Sequence, residues 1–481
     1  MSNGSSPITA CKKKLYALNP RTPPTCIQTQ RTRRKQRPEP TDPKSLERQV
    51  RQLLADKISG TQLGLWLLIP EHVRLGTWDL LCAWTGCPTP RVEPRLALQL
   101  VHEAALCVSG VRQGRSLSQK GFEVANGLPF VATDQAIHEL LAAHTVEQAQ
   151  RLQIALGQLR RASGHFPGEL LAIDPHRLVS SSKRQMVRYR DDPRLKAVKV
   201  AQTFFCLDAH SSQPICFTSA SSARTVAQAT PELLQLTQHI LNPTGPRPLV
   251  MADCEHFNAE LIEQVRRETP FDLLVPMPNQ KARQQQHAQL SPSQFTPHWA
   301  GFATTKQPFG WSNASARPLY EIIQRSGEVP ADYYYKSFLA TADRPEVTDV
   351  SIHYPQRWHG EEFFKFNQAL GWQRAGTLNL NIRYGHMTLA LVAQAVGHQF
   401  RQSLGAPYAT WDASHLAKDV FCGLEGDVRV QEDTIIVTYD NAPNAAQLRQ
   451  HYEHWPAKLV AQKMSPKIPW LYNFKLDFRF K

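Results

Sequence analysis

The spacing of apolar positions changes near residue 164. From Leu46 to about Ser163 they recur at helical intervals: Leu53, Leu54 and Ile58, the run around Leu63–Ile69, then Leu96, Leu100, Ala104 and Cys107. Residues three and four apart share one helix face, so this stretch predicts packed helices, each burying a stripe. Between Leu117 and Ala143 an interruption at Gly127, Leu128 and Pro129 separates two helical runs, with Thr133 or Asp134 placed to cap the second. Such a corner serves an ordinary bundle or a DNA-reading helix-turn-helix, and the pattern leaves both open.

Past Gly164 short β-type runs appear at Leu170–Ile173, Thr203–Leu207, Pro214–Thr218, Leu249–Ala252 and Leu273–Val275. Helical runs at Thr230–Leu241 and Asn258–Glu268 interleave with them, which predicts an α/β layer. Residues 277–345 break the rhythm. They are polar, Gln-rich at 280–289 and aromatic at Tyr333–Tyr335, and read as a mostly β insertion. A helix-rich block follows, then a tail with a strand at Asp433–Tyr439. The divisions are an arm over 1–45, a helical domain over 46–163, a first core part over 164–276, the insertion over 277–345, a second core part over 346–405 and an α+β tail over 406–481.

Composition narrows the partners. The chain has 481 residues, of which 42% are hydrophobic, enough to bury a sizeable core. Its 55 Lys and Arg against 41 Asp and Glu leave a net charge of +14, which points to a polyanion. No run approaches the roughly 18 apolar residues of a membrane span. The first 30 residues also lack an apolar leader core, so nucleic acid is favoured over a membrane and the compartment reads as cytoplasmic. Residues 1–44 hold +8 of the charge, as a flexible basic arm or a merely solubilising tail. Nine scattered cysteines with no CxxC pair read as reduced core thiols; a zinc site at Cys82 and Cys87 would need His102 and Cys107 as well.

Two apolar runs each end in a carboxylate, at Asp174 and at Asp253. A strand that ends in Asp puts the charge at a sheet edge, where α/β sheets bind ligands, although turn and cap aspartates occupy the same place. Phe257, Leu261, Ile262 and Val265 are spaced for a helix that packs back on the sheet. A third element starts at Tyr354. Treated as one helix to Leu370, it aligns Tyr354, Arg357, Glu361, Lys365 and Gln368 within about 40° of one line, with Pro355 in the first turn. Phe363, Phe366 and Leu370 fall on the opposite, packing face. A solvated helix face with Arg–Glu and Glu–Lys pairs would show the same stripe.

Together, Asp174, Asp253 and Glu361 resemble the three acids of the DDE transposases, in particular the bacterial insertion-sequence group with a Tyr-x2-Arg-x3-Glu-x6-Lys signature. Tyr354, Arg357 and Glu361 match that signature, followed by Glu362-Phe363-Phe364-Lys365-Phe366; the last position is Gln368 instead of Lys, with Lys365 on the same face. Spacings of 79 and 108 residues between the acids also suit a group with a β insertion before the Glu. The resemblance covers roughly 165–405. It implies an RNase H-like catalytic core with the two Asp on adjacent strands and the Glu on a following helix. It further implies two Mg²⁺ ions, with Mn²⁺ as a substitute, held by Asp174, Asp253 and Glu361 for strand cleavage and 3′-hydroxyl strand transfer.

The implied partners are double-stranded DNA, both terminal inverted repeats and target, and a dimer formed on that DNA in a bacterial nucleoid. The resemblance carries Tyr354 and Arg357 to contacts near the transposon end, with Lys365 and Gln368 on the same helix. From the residues themselves, Arg177 to Lys199 holds eight basic side chains, Lys183, Arg184, Arg188 and Arg190 among them, directly after the first Asp strand. A solvated hairpin is the alternative. Trp299 and Trp311 in the insertion read as packing residues before base-stacking ones. The alternating tail Trp470–Lys481 either completes a sheet or presents cations. Two rival functions remain: an RNase H-like nuclease without strand transfer, and a DNA-binding regulator that has lost catalysis.

Overall fold

A computed structural model describes residues 42–87, 91–108, 120–180, 186–190, 194, 196–219, 224–311, 318–372 and 379–481, without the side chain of Glu361. Nearly all of the basic arm therefore lies outside the described residues, as do Lys183 and Arg184.

The N-terminal block is helical: α1 (Pro43–Ala55), α2 (Ile69–Leu75), α3 (Thr77–Trp84), α4 (Val92–Ala105), α5 (Lys120–Ala125), α6 (Asp134–Ala143) and α7 (Val146–Ala162), with a short strand β1 (Ile58–Gly60). Local chemistry sets the helix starts. Asp42 caps α1 by accepting from the Ser45 N–H at 2.9 Å, ahead of Pro43, and Leu46, Val50 and Leu54 make its buried stripe. Thr133, not Asp134, caps α6, through the Ala136 N–H. Thr145 and Gln148 form a reciprocal capping box on α7.

The central layer begins with β2 (Leu170–Val179), β3 (Arg188–Tyr189), β4 (Val198–Asp208), β5 (Gln213–Ser219), α8 (Val226–Leu241), β6 (Leu249–Met251), α9 (Ala259–Glu268) and β7 (Asp272–Pro276). Its five main strands lie side by side as β5-β4-β2-β6-β7. β4 runs antiparallel to β5 and β2, whereas β2, β6 and β7 are parallel. One face, with Ile173, Phe204, Val250 and Leu273, packs on α8 and α9. The other, with Ala172, Met251, Leu274 and Phe338, is covered from Val350 and Tyr354.

The insertion contributes α10 (Lys281–Ala288), β8 (Thr296–Trp299), β9 (Phe302–Phe309), β10 (Leu319–Ser326) and β11 (Tyr334–Ala340). Its strands are antiparallel neighbours in sequence order, and β11 pairs with β7, so the insertion widens the central sheet to ten strands. The Gln-rich stretch departs from the β expectation: it is helix α10. Lys, Ala, Arg and Gln are strong helix formers, and His287 anchors the turn by a 3.0 Å bond to the buried Glu321.

After β11 come the turn α11 (Glu346–Thr348), a helical stretch over Asp349–Trp358, α12 (His359–Asn367) and the long buried α13 (Leu380–Leu404). The tail adds α14 (Ala413–Leu416), β12 (Gly426–Gln431), β13 (Thr434–Tyr439), α15 (Ala445–Tyr452), α16 (Trp455–Ala461), β14 (Lys467–Ile468) and β15 (Phe474–Phe480). These strands and β1 build a second sheet, β1-β12-β13-β15-β14. N-terminal block and tail thus share one core around Trp66, Tyr439, Trp455 and Trp470. The tail does complete a sheet, and its cations are paired at home: Lys475 with Asp433, Arg479 with Asp477 and Lys481 with Asp440. Among the described residues no helix is long and apolar enough to cross a membrane.

Candidate active site

Asp174 and Asp253 meet because of strand register. β2 pairs with β6 from Leu170 opposite Leu249 to Ala172 opposite Met251. Continued two residues, that register sets Asp174 level with Asp253, at the C-terminal side of parallel strands. Side chains alternate across a strand, so both aspartates share the sheet face of Ala172 and Met251.

Each carboxylate is held at Oδ1. Arg357 Nη1 donates to Asp174 Oδ1 at 3.0 Å. Asp253 Oδ1 accepts from the Glu255 N–H at 3.0 Å and bonds His256 Nδ1 at 2.7 Å. Among the described residues no hydrogen bond engages either Oδ2. The two acids differ electrostatically. Burial pushes Asp174 up to about 6; Arg357 opposes the rise and the Asp253 charge adds to it. Burial also acts on Asp253, but the His256 bond, the nearby charges of His256 and Arg357, and the Glu255 N–H outweigh it, and the carboxyl stays below its usual range.

The segment predicted as one helix over Tyr354–Leu370 changes pitch instead. It is wide over Asp349–His353, 3₁₀ over Tyr354–Trp358 and α-helical only over His359–Asn367. In a 3₁₀ turn residues three apart eclipse, so Tyr354 and Arg357 both face the sheet. Tyr354 is buried against Phe338, its hydroxyl donating to the Ala252 carbonyl at 3.3 Å. Tyr354 is thus turned onto the sheet, and Arg357 onto Asp174. The wheel drawn at a uniform 100° also misplaced Phe366, which is 39% exposed, whereas Phe363 and Leu370 are buried as expected.

Glu361 lies on α12, and its side chain is outside the described residues. Lys365 is exposed and lines a cleft with Ser211, Ser212, Glu362 and Arg401 that neither aspartate lines; Gln368 is exposed. Arg188, on the strand that pairs with the outer end of β4, and Arg190, just after it, are exposed. Arg177 is instead tied to Glu255 and Gln202, over the Tyr189 ring. Trp311 packs on Phe309 and Phe257, while Trp299 is 54% exposed and stacks on Phe302.

Two residues were not anticipated: His256, bonded to Asp253, and Lys336, over the Tyr354 ring. His256 could have been noticed three positions after Asp253. Lys336, on β11, had no sequence signal at all.

The donor chemistry fits a hard divalent cation, since Asp174 and Asp253 each offer an unengaged carboxylate oxygen on one face. Among the described residues no three His, Cys, Asp or Glu side chains gather as a metal would require.

No family model matches the chain, and no curated protein matches it. Among solved structures it is similar to the piggyBac transposase synaptic complex with hairpin DNA, determined by cryo-EM. Identity is 11% over 76% of this chain and 82% of that one, with a TM-score of 0.35. A score that low carries no argument about fold or function.

Proposed function

We propose that this chain is a DDE-type DNA transposase of the bacterial insertion-sequence group. One observation carries the reading: the register of β2 and β6, continued two residues, brings Asp174 of β2 level with Asp253 just past β6, and α12, which bears Glu361, packs on β2 through Phe364 stacked on His176. The strand order and directions support it, because an antiparallel three-strand meander followed by two parallel strands is what an RNase H-like core requires.

Asp174, Asp253 and Glu361 would hold Mg²⁺ or Mn²⁺, which activates the attacking oxygen and stabilises the leaving 3′-oxygen in phosphoryl transfer. The chain's own residues fix the geometry. His256 and the Glu255 N–H lock the Asp253 rotamer, while Arg357 aims Asp174 at the same face. The exposed Arg188 and Arg190 would meet backbone phosphates of duplex DNA, from terminal repeats or target. Assembly as a dimer on paired ends, in a bacterial nucleoid, completes the proposal.

The test is excision and reinsertion of the element in cells, followed by junction sequencing. Wild type should produce both junctions, and Asp253→Asn neither. Nicked donor without target junctions would favour a nuclease, and identical results for wild type and Asp253→Asn would remove the acids from the chemistry.

A further inference from the structure

Lys336 stands on β11 with Phe338 and Ala340, and alternation places these three on one face. That face is the one the aspartates share, since Phe338 and Ala340 pack with Ala172 and Met251. Register gives the level. Phe338 lies opposite Pro276, and β7 continues beside β6 so that Pro276 is level with Asp253. Lys336 is two residues further out, toward the mouth of the site. Its ammonium sits 5.1 Å from the Phe338 ring centre and 5.5 Å from that of Tyr354.

Among the described residues no carboxylate pairs with Lys336 and no acceptor bonds it. Burial and the Arg357 charge both hold it below the usual lysine range. Two positive side chains are thus brought together, one of them is paired with Asp174, and Arg357 Nε is itself buried without an acceptor among the described residues. An anion entering between them would relieve the repulsion and satisfy idle donors. Lys365 lines the other cleft and Gln368 is neutral, so no cation of α12 is seen in this place.

We propose that Lys336 is a phosphate-binding residue of the acid site, supplied by the insertion strand, which positions the DNA backbone against Asp174 and Asp253. The inference rests on the DNA-processing reading above. It touches backbone phosphate, so it adds affinity without sequence preference.

The test is fluorescence anisotropy of a 30-bp duplex of arbitrary sequence in EDTA, titrated with full-length protein across a NaCl series. Lys336→Ala should weaken binding about five- to tenfold near ~100 mM salt and lower the log–log salt slope by about 0.9. Lys336→Arg should keep both near wild type. An unchanged slope and affinity in Lys336→Ala would overturn the assignment and leave the transposase reading intact. Failure of wild type to bind the duplex at any salt would instead remove the DNA-processing reading, and this inference with it.

Discussion

The Asp174 carboxylate is half-buried, pushed up to about 6, and anchored by one guanidinium. Removing either partner leaves an uncompensated charge in a poorly solvated place. Arg357→Ala should therefore destabilise the protein by about 1–3 kcal/mol in urea unfolding, and Arg357→Ala with Asp174→Asn should recover much of that loss. Additive losses would show that the pair is not coupled.

A second buried network lies among the N-terminal helices. Asn126 Oδ1 only accepts, so His102 carries its proton on Nδ1, 2.7 Å away; its Nε2 then accepts from His72 Nε2 at 3.2 Å, and Thr77 donates to His72 Nδ1 at 2.6 Å. Burial depresses His102 to about 4 and His72 further. Both stay neutral when folded, whereas unfolded imidazoles take protons below about pH 6.5. Their contribution is thus complete above that pH and is lost as pH falls toward 4. The unfolding free energy should fall across this window, and His102→Gln should flatten the slope by about 1.4 kcal/mol per pH unit. A flat wild-type profile would contradict the neutral pair.

Among elements, the strands of the central layer were readable because each holds a short apolar run, and Asp253 was readable just past the end of one; Asp174 instead stands fifth in the ten-residue β2, which continues to Val179 in its pairing with β4. The segment after residue 349 was not. A uniform helical wheel cannot register a change from wide to tight pitch, and so it drew one polar stripe from Tyr354 to Gln368, whereas Tyr354 and Arg357 face the sheet and Lys365 and Gln368 are exposed. Lys336 escaped notice for a different reason: Phe338 stands two residues along the same strand, but Tyr354 is brought over it from the cover segment only by the fold. Close approaches are equally silent in sequence. Gly426 on β12 would set a Cβ 1.8 Å from the Thr438 carbonyl oxygen, and Gly127, at φ +67°, would set one 2.1 Å from that of Trp470. Either Gly→Ala change should lower stability by more than about 3 kcal/mol, read as a drop in thermal midpoint.

At the scale of the molecule, the chain closes on itself. β1 pairs with β12, Arg95 and Trp470 bond across the same junction, and Tyr439 donates to the Leu63 carbonyl. The sequence divided this region in two because its helical and β patterns lie more than 250 residues apart. Deleting residues 474–481 should expose the N-terminal helices to limited proteolysis, with early cleavage between α1 and α7; unchanged fragments would show that block to be independent of the tail.

The central claim is that Asp174 and Asp253, with Glu361, form one metal-dependent phosphoryl-transfer site. Its most direct measurement is Mg²⁺-dependent cleavage and joining of a DNA fragment carrying the element's own ends, with wild type beside Glu361→Gln and Asp174→Asn. The account predicts cleaved and joined products from wild type alone, with DNA binding retained by both variants. Tight binding without cleavage under Mg²⁺ or Mn²⁺, or cleavage that survives both substitutions, would contradict it.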